Sequence, residues 1–310
     1  TSLGTLQQRL ETQRLAARAL QQADDGMTAQ LGVLEAFELS WHTLYPGAQQ
    51  LSCKLSLFAL APIPWQLVTD QLSSSESEEM EEARDLLVEL NLLQLVECGV
   101  YQFHQLVREY FLAKLEQRSD ADEQKQAYCQ AVVARGQQIP ESPTRELVLQ
   151  MMPIMPHIAE AATVWNDWLS DKTLVQPFIA MGKFYEGQGA YAEAEPYYSN
   201  GLSKLEKRFG DEHPDVAIGL NNLADLYDNQ GRYCEAEPLY LQALAMRQKL
   251  LGDEHPDVAI SLNNLALLYD DQGRYSEAEP LLQQSLAIRQ KHFGGDHPAV
   301  ARSLNNLELL

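Results

Sequence analysis

Three histidines recur beside carboxylates: His213 in Gly210-Asp211-Glu212-His213-Pro214-Asp215, His255 in Gly252-Asp253-Glu254-His255-Pro256-Asp257, and His297 in Gly295-Asp296-His297-Pro298. Imidazole beside carboxylate can bind metal or move protons. A zinc site, however, needs about three or four ligands converging on one point, and each of these histidines stands 42 residues from the next, one to a loop. They are read as loop residues near helix starts, with no metal. A second polar set keeps the same interval: Asn221-Asn222, Asn263-Asn264 and Asn305-Asn306, with Asp225, Asp228, Asp270 and Asp271 further along. An asparagine amide offers a donor and an acceptor, matching the backbone of an extended peptide without demanding its sequence. The aspartates add negative charge and favour a ligand bearing Lys or Arg. The candidate partner-binding residues are therefore Asn221, Asn222, Asp225, Asp228, Asn263, Asn264, Asp270, Asn305 and Asn306. Two plainer readings stand beside this one: one asparagine of each pair ties neighbouring helices together, and the aspartates are a solvated face.

No constellation for catalysis accompanies them. A nucleotide site needs a glycine-rich loop with a lysine for the phosphates and an acid for magnesium. Gly182-Lys183 is the one Gly-Lys pair and has no upstream glycine at the right spacing. HExxH, GxSxG and paired Cys/His arrangements are also missing from the sequence, so this chain is expected to be no enzyme and to hold no cofactor.

The elements that carry these residues repeat as a unit. Gln230-Gly-Arg-Tyr-Cys-Glu-Ala-Glu-Pro238 returns as Gln272-Gly-Arg-Tyr-Ser-Glu-Ala-Glu-Pro280, and is preceded by Gln188-Gly-Ala-Tyr-Ala-Glu-Ala-Glu-Pro196. A period of this size means stacked units, none of which buries its apolar face alone. Leu220, Leu223, Ala224 and Tyr227 make one apolar stripe on a first helix. Pro214 suits the first helical position and Gly231 the break after it. A second helix carries Tyr233, Ala236, Leu239, Tyr240, Ala243 and Leu244. Pro238 is tolerated only in about the first turn, which places that helix's start shortly before it.

This pattern, Leu-Ala-x-x-Tyr and then Ala-x-x-x-Tyr-x-x-Ala, resembles the tetratricopeptide repeat. It recurs at Leu265, Ala266, Tyr269 and Ala278, with Leu282 and Ser285 as substitutes later in that helix, and in weaker form at Met181, Gly182, Tyr185, Ala194 and Tyr198. The usual unit is about 34 residues. The longer form here is similar to the repeats of kinesin light chains and their bacterial relatives, although the heptad stalk of kinesin light chains is missing. The resemblance implies an α-α superhelix whose concave wall, lined by first helices, holds a protein or peptide. Units are expected near 175–216, 217–258 and 259–300, with a partial one at 301–310.

The preceding residues have another rhythm. Residues 34–44 read as an amphipathic helix and 47–60 as a second, closing at Ala61-Pro62-Ile63-Pro64. A short segment, 65–72, leads through a Ser/Glu-rich loop to a helix ending near Leu92. Residues 93–97 and 100–103, split by Cys98-Gly99, read as a hairpin, and a helix follows from His104 to about Gln117. Three helices and a hairpin are the layout of a winged helix. Residues 27–118 hold thirteen acids against five bases, and the helix before the hairpin carries Glu78, Glu79, Glu81, Glu82, Asp85 and Glu89. DNA, with a charge every ~1.7 Å, would be repelled.

Ala36-Phe-Glu-Leu-Ser-Trp41, Leu57-Phe-Ala-Leu-Ala-Pro62 and Tyr101-Gln-Phe-His-Gln-Leu-Val-Arg-Glu-Tyr110 resemble the winged-helix part of NB-ARC ATPases, signal-transducing switch proteins. Phe103-His104-Gln105 stands where that family has Met-His-Asp, with glutamine in place of the aspartate. The resemblance implies that His104 approaches the β-phosphate of ADP in a longer protein, where ADP or ATP with magnesium would bind an upstream nucleotide-binding domain. A histidine starting a helix for its own sake is the plainer reading. On this reading residues 1–30 end a preceding helical domain, 31–118 are a winged helix, 119–174 an irregular helical connector and 175–310 the repeats. The abrupt stop at Asn305-Asn-Leu-Glu-Leu-Leu310 suggests a piece of a longer protein. A static assembly scaffold without nucleotide switching is the alternative function.

Composition agrees with a protein-binding role. Forty-four acidic residues against 23 basic give a net charge of −21, which disfavours nucleic acid and anionic membrane and mildly favours basic partners. Four scattered cysteines (Cys53, Cys98, Cys129, Cys234) point to a reduced, cytoplasmic setting. No apolar run approaches a bilayer span.

Overall fold

The computed structural model describes residues 29–69, 74–140 and 142–310. The end of a preceding helical domain expected over residues 1–30 lies outside the described residues except for its last two positions. The chain divides into two compact units, one reaching Gly136 and including Arg145–Ser170, the other formed by Gln137–Thr144 and Asp171–Leu310.

The first unit runs α1 (Ala29–Thr43), α2 (Pro46–Ser56), β1 (Ile63–Pro64), α3 (Trp65–Thr69), α4 (Ser74–Glu89), β2 (Leu93–Glu97), β3 (Val100–Phe103), α5 (Gln105–Glu116), α6 (Ala121–Gly136), α7 (Arg145–Met151) and α8 (Met155–Thr163). The hairpin forms as expected, with Leu93 opposite Phe103 and Leu95 opposite Tyr101. A third strand was not foreseen: Ile63 and Pro64 pair with Tyr101 and Val100, giving the antiparallel order β1-β3-β2. Proline lacks an N–H for the ladder and is tolerated there because β1 is an edge. The small sheet among helices fits a winged-helix-like region.

The segment after α2 turns through Leu57–Pro62, and its backbone polar groups are satisfied from far along the chain. The Arg108 Nε donates to Ser56 O at 3.0 Å and Phe58 O at 2.7 Å, while its Nη2 pairs with Glu160 on α8. The Trp165 indole donates to Leu57 O at 2.9 Å. The imidazole of His157, fully buried, accepts from the Ala59 N–H at 3.2 Å and lies 3.1 Å from Pro62 O. Where such a segment is buried, as at Leu57 and Phe58, it is stable only when its polar groups find partners. Arg108, His157 and Trp165 supply those partners, so residues 155–165 pack as part of this unit.

The second unit is a stack of paired helices: α9 (Gln176–Glu186) with α10 (Tyr191–Phe209), α11 (Pro214–Asn229) with α12 (Tyr233–Leu251), α13 (Pro256–Asp271) with α14 (Tyr275–Phe293), and α15 (Pro298–Leu309). From α9 to α15 each helix touches the next. Between α11 and α14 the interior runs without interruption through Ala224, Tyr240, Leu262, Leu265, Ala266 and Leu282. Long second helices end at Gly210, Gly252 and Gly294, with φ of 80°, 86° and 78°, a conformation that costs glycine little.

Pro238 lies deeper in its helix than the sequence suggested. The helix α12 begins at Tyr233, so the proline is its sixth residue, with Pro196 and Pro280 in the same place in α10 and α14. One internal hydrogen bond is lost there, but it lies at the exposed start of the helix, where Cys234, four residues earlier, faces solvent.

Candidate functional site

The histidine motif resolves first. His213, His255 and His297 each precede a helix and accept, through Nδ1, the N–H of the second residue on, at 3.2 Å from Asp215, 3.2 Å from Asp257 and 3.1 Å from Ala299. His104 does the same to Leu106 N at 3.3 Å ahead of α5. All four are N-caps, satisfying a donor that the first turn leaves without an intrahelical partner. Among the described residues no group of three or more His, Cys, Asp or Glu could hold a metal ion. None of the described helices is long and apolar enough to cross a membrane.

The asparagine pairs split into an inner and an outer member. Asn221 and Asn263 are buried, at 4% and 3% exposure. With its amide oriented to satisfy both ends, the Asn221 oxygen accepts from both terminal nitrogens of Arg247, at 2.8 and 3.2 Å. Asn263 Oδ1 accepts from Asn306 Nδ2 at 2.9 Å. These two residues were expected in the partner-binding set and are corrected here: they join helices inside the stack and present no surface to a ligand. The physical reason is that a helix in a stack is covered on two sides, and the second side here is polar.

The half-buried members Asn222, Asn264 and Asn306 and the exposed Asn305 remain accessible. Asn264 donates to Asp225 Oδ1 at 3.3 Å, so α11 and α13 lie side by side along this face. Asp225 also accepts the Tyr240 hydroxyl from α12. Asp228 sits close by with Oδ1 buried and unpartnered. Burial, and then the charge of Asp271, push the Asp228 carboxyl up to about 6. The preceding copy has a complementary pair instead, with Asn229 donating to Glu186 at 3.3 Å. Asp271 stands where that copy has its asparagine, and its negative charge acts on Asp228. Among the described residues no lysine or arginine pairs with Asp228, Asp270 or Asp271. The face is therefore acidic, partly desolvated and short of cations.

Sequence reasoning missed the arginines that hold the stack together. Arg247 donates from Nη1 to Ser261 Oγ at 2.7 Å and Asp257 O at 3.1 Å, across to the next first helix. Arg289 repeats this with Ser303 Oγ at 2.6 Å and Ala299 O at 3.3 Å. Leu205 holds the corresponding place one copy earlier, with Gly219 for the serine and Ile179 for the asparagine. That joint exchange of Asn, Arg and Ser for Ile, Leu and Gly at a fixed interval was the available signal.

The tetratricopeptide repeat family matches residues 176–249, 229–291 and 271–310. Residues 176–310 form a tetratricopeptide-repeat superhelix. Among solved structures, BtubC (BKLC) from P. vanneervenii is 21% identical, over 61% of this chain and 82% of that one, with a TM-score of 0.43. A Podosopora anserina protein assigned as a kinesin light chain, with nearly identical TPR-like repeats, is 22% identical over 61% and 86%, with a TM-score of 0.46. A Rap protein complexed with Competence and Sporulation Factor is 13% identical over 98% and 84%, with a TM-score of 0.43. No curated protein matched the chain. A tetratricopeptide superhelix is a scaffold for protein–protein interaction.

Proposed function

We propose that the tetratricopeptide face formed by α11 and α13 holds an extended, basic segment of a protein ligand, as the recruiting or sensing part of an NB-ARC-type signalling ATPase. The observation that carries the ligand reading is Asp228, whose buried carboxylate oxygen has no partner and feels the charge of Asp271, with no cation paired to either among the described residues. A ligand lysine or arginine there would relieve the repulsion. Asn222, Asn264 and Asn306 offer amides for the ligand backbone, while Asp225 and Asp270 extend the negative charge.

The ATPase context rests on the motif resemblance, with a small sheet and helices in the order a winged helix needs. His104 caps α5 through Nδ1, which leaves Nε2 as the atom for a phosphate oxygen. A ligand that prefers the open form of such a switch would shift the population toward it. A static scaffold is the second reading, favoured by the capping role of His104, which needs no nucleotide.

Titrating the chain with an extended lysine-rich peptide tests the ligand site: Asp270→Lys and Asn264→Ala should each weaken binding at least several-fold. Unchanged affinity in both variants would remove the site. A phosphate-binding loop in the encoding gene, upstream of residue 1, separates the ATPase context from the scaffold.

A further inference from the structure

The three turns that join first to second helices share one backbone but not one side chain. Ala190, Arg232 and Arg274 precede α10, α12 and α14 with φ, ψ of −87°, 61°, then −85°, 55°, then −88°, 52°. Each N–H donates to the tyrosine carbonyl five residues back, at 2.9 Å to Tyr185, 2.8 Å to Tyr227 and 2.7 Å to Tyr269. A side chain at this position therefore leaves the backbone in the same direction in all three turns.

In the two later turns that side chain is a guanidinium, centred 4.0 Å over Tyr227 and 3.9 Å over Tyr269. Arg232 donates from Nε and Nη2 to the two oxygens of Glu235, each at 2.7 Å, and Arg274 grips Glu277 in the same way at 2.8 Å. A further bond engages the glutamine two residues back, at 2.9 Å to Gln230 and 3.1 Å to Gln272. The Nη1 that makes this bond also donates to a carboxylate of the preceding second helix, Glu195 at 2.8 Å for Arg232 and Glu237 at 2.9 Å for Arg274. The chain thus builds the same guanidinium receptor twice and fills it with its own arginine.

The first turn keeps three of these groups and lacks both the arginine and the second carboxylate, since Pro153 stands 42 residues before Glu195. Tyr185, Gln188 and Glu193 occupy the equivalent positions, around Ala190. The Gln188 amide turns away to Phe184 O at 2.9 Å. Tyr185 stacks on Tyr197 at 5.8 Å, and no cation lies over it. The Glu193 carboxylate is exposed and makes no ion pair among the described residues. A cavity of about 670 Å³ opens beside this turn, with Ala190 and Glu193 on one side and Asn229, Gln230 and the already paired Glu195 and Arg232 on the other.

We propose that this slot takes the guanidinium of an arginine presented by a partner polypeptide, seated beside Tyr185 and gripped by Glu193. The planar fork of arginine matches a carboxylate in two parallel bonds, which the point charge of a lysine does not. Cation–π attraction adds to it. The site lies at the turns and uses none of the aspartates of the α11–α13 face, so it stands or falls separately from that reading.

The test is a titration of the whole chain with the single-arginine peptide acetyl-Gly-Arg-Gly-amide, followed by amide resonances. Saturable shifts confined to residues 188–193 and 229–232, with the lysine peptide at least about five-fold weaker, are expected. Glu193→Gln should abolish the shifts without moving the melting temperature. Ala190→Arg should also abolish them, by filling the slot internally, and should raise the melting temperature. Equal response to arginine and lysine, binding that survives Glu193→Gln, or shifts scattered over the acidic surface would each overturn the assignment.

Discussion

Arg247 and Ser261 lie 14 residues apart in the chain and meet at 2.7 Å between α12 and α13. The guanidinium is buried, and the loss of solvent lowers its proton affinity below the ordinary arginine value against the opposing pull of Asp257 and Asp225. It is held there by Ser261, the Asp257 carbonyl and Asn221. One repeat earlier the same volume is apolar. A Cβ added at Gly219 would come within 3.2 Å of Leu205 Cδ1, so leucine and glycine are matched as arginine and serine are.

The matching predicts a coupled response. Removing the hydroxyl in Ser261→Ala leaves a buried donor short of an acceptor and should cost about 1–3 kcal/mol. Asn221→Ile, Arg247→Leu and Ser261→Gly together reproduce the Ile179, Leu205 and Gly219 set and should recover most of that loss, because no buried polar group is left behind. Urea unfolding of the single and triple variants measures it. A triple variant no better than the sum of its parts would show that the three positions act independently.

His157 makes the first unit sensitive to acid. Burial, resisted by the bond to Pro62 O and aided by the charge of Arg108, lowers its imidazole to about 4. Between that value and the ordinary 6.5, the unfolded chain binds a proton that the folded chain refuses. Stability is complete above about pH 6.5 and falls by on the order of 3 kcal/mol as the pH drops to about 4. Hydrogen exchange over residues 121–165, corrected for its intrinsic pH dependence, should follow this slope, and His157→Gln should flatten it.

Asp228 gives the repeats the opposite sign. Its folded carboxyl titrates near 6, above the ordinary 3.8, so the folded chain holds a proton longer than the unfolded one. Stability contributed at this site is present at low pH and is lost as the pH rises from about 4 to about 6. Asp228→Asn should therefore raise the melting temperature of the wild-type chain at pH 7 and have little effect near pH 4. A melting temperature that falls at pH 7 would mean that the carboxylate is stabilised by contacts other than those described.

Much of this architecture was legible in the residues. Leu220, Leu223, Ala224 and Tyr227 announced a helix buried along one side, and Pro214 its start. The recurrence of the whole pattern announced a stack, since such a helix pair leaves apolar surface that only a neighbour covers. The histidine loops were correctly placed at helix starts, although the cap itself needed the Nδ1 geometry. The strand Ile63–Pro64 was not legible, because two residues carry no periodicity and only Tyr101 and Val100 opposite them make a strand.

The split within the asparagine pairs was not legible, for the same reason that Asn221 was misplaced. Helical spacing marks the large apolar stripe, and a polar residue beside it looks solvent-facing whether or not another helix covers it. Asn221 and Asn222 are adjacent letters of one type, yet the first is sealed by Arg247 and the second borders the open face.

The sequence by itself determined the repeat length, the order of helices and turns, and the acidic character of the repeats, because these follow from local propensity and from period. Tertiary structure alone decided which polar residues are internal, that Asp228 has a buried oxygen without a partner, and that a cavity opens beside Ala190. Those outcomes depend on side chains a full repeat apart, which meet only when one helix pair is laid against the next.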